Sequence, residues 1–201
     1  MNTQPSYEAA KHARMQCLNR EARKPIRSPL LTSARQDVTL VGTLAAADEM
    51  AMFNLLQQDW QKHLAAFPSF ADDFESADPY VCDMSQLAEL AAQAPTPVIR
   101  QAVREIALCR MQMASILGLA TPTTDERTKM VLAGANAEWE ISISMYPTFS
   151  AWLSTMNRLT CSRAELAEII HHAPTFIVRH ALRETFCFRE IASLITPHAF
   201  A

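Results

Sequence analysis

A chain of 201 residues, 49% of them hydrophobic, can build one large domain or two small ones. Its three glycines (Gly42, Gly118, Gly134), set among abundant Ala, Leu, Met, Glu and Arg, exclude a turn-rich β architecture and favour helix. The net charge of −3 is unevenly spread: Lys11, Arg14, Arg20, Arg23, Lys24, Arg27 and Arg35 against Glu8 and Glu21 give residues 1–35 +5, which leaves −8 for the rest.

In chain order, residues 1–45 read as a basic N-terminal arm, partly flexible. It contains Pro5, Pro25 and Pro29 and has no sustained apolar stripe beyond about Tyr7–Leu18. Its start lacks the apolar core of a signal peptide, and no apolar run in the chain matches a membrane span, so the expected compartment is the cytoplasm, without membrane contact. Arg20, Arg23, Lys24 and Arg27 are the arm's candidate contacts to nucleic acid or to an acidic partner.

Beyond the arm the chain repeats itself. An offset of 79 places AELAEIIHHAPTFIVRHALRE (164–184) under SQLAELAAQAPTPVIRQAVRE (85–105), and residues 60–110 contain 15 identities in 51 positions without a gap. They include Trp60/Trp139, Pro68/Pro147, Cys82/Cys161, Arg100/Arg179, Arg104/Arg183 and Glu105/Glu184. The expected fold class is therefore all-α, a helical bundle made by tandem duplication of a roughly four-helix module, with repeat 1 at 46–120 and repeat 2 at 121–201.

Each copy divides the same way. Phe53, Leu56, Trp60, Leu64 and Phe67, and then Leu132, Ala135, Trp139, Ile143 and Tyr146, mark one face of a first helix that stops at the proline. A short second helix is expected over about 70–78 and 149–157. Asp83 with Gln86, and Ser162 with Glu165, are spaced as capping boxes for a third helix ending near Ala94 or Ala173. Thr96 or Thr175 can cap the fourth, which runs to about 117 or 195. Pro97 suits its first position and Gly118 its C-terminal end.

The third and fourth helices can be read as a helix-turn-helix presenting Arg100, Gln101 and Arg104, or Arg179, His180 and Arg183, to DNA. The turn lacks glycine, however, and the body is acidic. The other reading places these arginines on a solvated helix edge, paired with acids such as Glu105 and Glu184. Arg100, Arg104, Arg179 and Arg183 are the candidate macromolecule-binding residues of the body.

Phe67, Met84, Gln86, Leu87, Leu90 and Ala91 in the first copy resemble the FlhD family of bacterial transcriptional activators, as do Tyr146, Arg163, Glu165, Leu166, Ile169 and Ile170, less closely, in the second. The resemblance spans about 45 residues per copy. It implies a helical, dimer-forming protein that controls transcription with a partner subunit. Pro68 and Ser69 stand where that family usually has Leu-Gly, and the duplication is a further departure.

No signature of catalysis stands out. The glycines are too far apart for a phosphate loop, and neither HExxH nor GxSxG occurs. His171, His172 and His180 lack a completing thiol or carboxylate, so no metal is expected. Asp72, Asp73, Glu75 and Asp78 read as a solvated face, and Met111, Met113, Met145 and Met156 as gap-filling core. The five cysteines, without CxxC spacing, read as reduced, with Cys82 and Cys161 as small buried groups. The expectation is a non-enzymatic regulatory protein with no cofactor and no small-molecule substrate. It would bind a partner subunit or further copies of itself, and DNA in the regulator reading; the alternative is an adaptor or assembly factor that touches no nucleic acid.

Overall fold

The computed structural model describes residues 46–195. Among them are eight helices and no strand: α1 (Ala46–Ala65), α2 (Pro68–Ala77), α3 (Met84–Gln93), α4 (Pro97–Ile116), α5 (Glu126–Ser144), α6 (Pro147–Ser154), α7 (Arg163–His171) and α8 (Phe176–Ile195). No helix among these residues is long and apolar enough to cross a membrane. The N-terminal arm, with Arg20, Arg23, Lys24 and Arg27, lies outside the described residues.

Long, short, short and long helices follow one another in both copies. Their ends are set by the side chains that the spacing singles out. Asp83 accepts a hydrogen bond from the Gln86 amide at 2.8 Å while the Gln86 side chain accepts from the Asp83 amide, closing a capping box on α3. Ser162 and Glu165 do the same for α7. Thr96 accepts from the Ile99 amide at 3.3 Å, and Thr175 from the Val178 amide at 3.2 Å, satisfying first-turn donors of α4 and α8. Pro68 and Pro147 do more than end the preceding helix. Each takes the first position of α2 or α6, where a missing N–H costs nothing, so the short helices start two residues earlier than the sequence spacing implies. At the far end of α4, Gly118 takes φ +63°, and Leu119 N–H donates to Ala114 C=O at 2.8 Å. This αL turn releases the chain toward α5.

The copies do not fold as separate beads. α4 and α8 pack against each other as the central pair, flanked by α3 and α7, and the first helices are exchanged: α5 lies on α3 and α4, whereas α1 lies on α7 and α8. One core accordingly joins Trp60, Leu64, Phe70, Phe74, Leu87, Leu90, Ile99, Val103 and Ile106 with Leu132 from the second copy. The other joins Trp139, Ile143, Phe149, Leu166, Ile169, Ile170, Val178 and Leu182 with Phe53 and Leu56 from the first. Phe53 stacks on Phe186 across this exchange. Each first helix therefore contributes to both cores, and burial of such side chains stabilises by roughly 1.5–3 kcal/mol apiece.

Candidate functional site

α4 and α8 are the two helices a helix-turn-helix would offer to DNA, and both are interior. Arg104 and Arg183, expected on a solvated edge, are each only 4% exposed, and Gln101 and His180 are also buried. The reason is the exchange of first helices. Arg104 stacks over the Trp139 ring at 4.7 Å and its Nε donates to Asn136 Oδ1 at 2.6 Å. Reciprocally, Arg183 stacks over Trp60 at 4.9 Å and donates to Gln57. Gln57 and Asn136 are themselves 79 positions apart, as are the two tryptophans. The repeat identities at Trp, Arg and Glu thus mark an internal interface rather than a binding edge.

Acids complete this interface. Glu105 accepts from Arg104 at 3.1 Å, from Arg158 and from the Thr185 hydroxyl at 2.7 Å. Glu184 accepts from Arg183 and from the Tyr80 hydroxyl. Burial opposes the charge on Arg158 and Arg183, but the adjoining carboxylates outweigh it and hold both guanidiniums above their ordinary pKa. For Arg104 burial wins and the pKa falls. Cys109 lies in the same layer near Thr185, its thiol pushed well up, chiefly by burial.

Arg100 and Arg179 keep partial exposure. Arg100 pairs with Glu138 at 2.7 Å, and Arg179 donates to the Ala173 carbonyl at 3.2 Å. The four arginines therefore do not form one surface. Cys82 and Cys161 meet Arg110 and Arg189 at 3.9 and 3.6 Å, and burial raises both thiols. Met113 is core and Met111 and Met156 are half-buried, but Met145 is exposed, contrary to its reading as a gap filler.

His180 is fully buried between Trp60 and Phe176, with no hydrogen-bond partner for either ring nitrogen. Desolvation first, then Arg183, His63 and Arg179, lower its pKa from 6.5 to about 3. The unfolded chain takes up this proton below its own pKa and the native chain does not. Stability is therefore complete above that value and is lost as pH falls toward the folded one, by about 2 kcal/mol at pH 5. Chemical denaturation at pH 7.5 and 5 should show this loss in the parent and a smaller one in His180→Leu. Equal losses would exclude His180 as their source.

A broad open groove of about 760 Å³ lies between the end of α4 from the first copy and α5 and α6 from the second. Trp139, Ile143, Leu153, Ile116 and Met156 give it an apolar floor and edge, and Ser115, Ser150, Ser154, Thr155 and Asn157 a hydroxyl and amide rim. Arg158 lines it too, joining it to the Glu105 layer beneath. Trp139 and Ile143 are the groove residues that the repeat stripe marks, and Met156 is one that reads as gap-filling core. The others differ between copies and carried no signal of their own. No protein-family model, curated protein or solved structure matches the chain.

Proposed function

We propose that this chain is a regulatory protein that works by binding another protein, as an adaptor, an assembly factor or the subunit of a larger regulator. The observation that carries the reading is the groove beside α6. It is too open to enclose a small molecule, and its apolar floor and hydrogen-bonding rim match the way a groove takes a partner's helix or extended segment. The interior position of α4 and α8 argues against a DNA-reading helix in the body. The +5 of residues 1–35 supports a second reading, the transcriptional regulator implied by the FlhD resemblance, with nucleic acid held through the basic arm.

Affinity purification of the full chain from its native cells should bring down one protein in stoichiometric amount. Ser115→Arg and Ser154→Arg, both at exposed groove positions, should remove that protein without moving the melting temperature. A partner retained by both variants would exclude the groove. A salt-dependent mobility shift with mixed DNA fragments, unaffected by either substitution and without a protein partner, would replace the adaptor reading with the nucleic-acid one.

A further inference from the structure

The two first helices are held by unequal seams. Where α5 meets α4, Arg100 pairs with Glu138 at 2.7 Å, and Gln101 donates to the Ala135 carbonyl at 3.0 Å. The repeat puts Arg179, Asp59, His180 and Leu56 at the equivalent places where α1 meets α8. Neither bond is repeated there. Asp59, one methylene shorter than Glu138, lies 3.7 Å from Lys62 and acts on Arg179 only through space. Arg179 turns to the Ala173 carbonyl, and its Nε is buried without a partner. His180 has no partner at either ring nitrogen. Asn54 Oδ1 and Gln57 Nε2 on α1 are unpartnered too, and the place of Asn54 is taken by Ala133 in α5.

Among the described residues, α1 and α8 thus hold five of the six buried side-chain polar atoms that lack a partner; the sixth is Gln101 Oε1 on α4. Such atoms regain water when the helices part, so their burial favours separation at this seam. What resists is the stacking of Phe53 on Phe186 and the contacts of Arg183 with Trp60 and Gln57. Arg179 and Arg183 on α8 and His63 on α1 stand around His180, and with burial they keep it neutral while the seam is closed. Once α1 leaves, the ring meets water and regains its proton affinity.

We infer that α1 is a strap that parts from α7 and α8 ahead of the rest of the fold, and that protonation of His180 opens it. α1 lines no part of the groove, so this opening and the capture of a partner there stand or fall separately.

Native-state hydrogen exchange of the full chain, expressed as protection factors, tests this. At pH 7.5 the amides of α1 between Phe53 and Leu64 should be roughly tenfold or more less protected than those of α5 between Leu132 and Ile143. Between pH 7.5 and pH 5 the α1 factors should fall about thirtyfold, the ratio set by a proton taken up near 6.5 in the open form and about 3 in the closed one. In His180→Gln they should fall far less. His180→Gln combined with Asp59→Glu rebuilds the arrangement of the other seam, and should raise α1 protection at pH 7.5 roughly tenfold, toward that of α5. Equal protection of α1 and α5 in the parent overturns the proposal, as does a rebuilt seam whose α1 exchanges as before. An acid response that survives His180→Gln overturns His180 as the trigger.

Discussion

Replacing Arg104 and Arg183 together with glutamate should abolish cooperative folding. Each guanidinium is buried, ion-paired to the next residue along α4 or α8, hydrogen-bonded to the other copy's first helix and stacked on its tryptophan. Removing one partner of a buried pair costs about 3–5 kcal/mol. Reversing its charge beside Glu105 or Glu184 adds repulsion. Two such losses rival the 5–15 kcal/mol that stabilises a domain. Far-ultraviolet circular dichroism with urea should show no cooperative transition in the double variant. A near-parental midpoint would mean that both side chains can reach solvent, and would return them to the list of candidate contacts.

Trp60→Ala and Trp139→Ala should each cost about 3–5 kcal/mol, the range for emptying a large buried aromatic site. Both tryptophans are almost fully buried, so little of this loss can be recovered by solvent. Each substitution also strips the stacking surface from an arginine of the other copy, so the damage should not stop at the copy that carries it. A double-mutant cycle between Trp60→Ala and Arg183→Met should therefore give a coupling energy above about 0.5 kcal/mol, and the pair Trp60 and Arg104 much less. Urea midpoints of the four variants measure it. A loss below about 1 kcal/mol for either tryptophan would place it at the surface.

The helices were largely legible in the sequence because their signals are local. Asp83 with Gln86, Ser162 with Glu165, Thr96 and Thr175 act within one turn, and the apolar stripes of α1 and α5 follow from spacing alone. What the stripes pack against was not legible. Phe53 and Leu132 hold equivalent places in the repeat, yet each serves the core of the opposite copy, and a periodicity names a buried face without naming its neighbour. Arg104 and Arg183 show the cost of that gap. Spacing puts them on one side of a helix, and an arginine there reads as solvated until a tryptophan from elsewhere covers it. Met145 reads as gap-filling core because methionine in a helical protein so often fills one, yet it stands exposed at the end of α5.

The exchanged first helices also bear on how the chain comes off the ribosome. Phe53 and Leu56 find their partners on α7 and α8, more than a hundred residues later, and Phe186 is among the last of the described residues to be synthesised. The first copy therefore cannot close its apolar surface while only its own residues have emerged. Half of α1 must wait, exposed, until α8 has emerged, a stretch in which nascent chains call on chaperones. The contacts that finish the fold span most of its length, and such non-local closure makes folding slow for a helical protein. A chain truncated after the first copy would have no α8 to receive α1, so the unit that folds is the pair of modules and not either one.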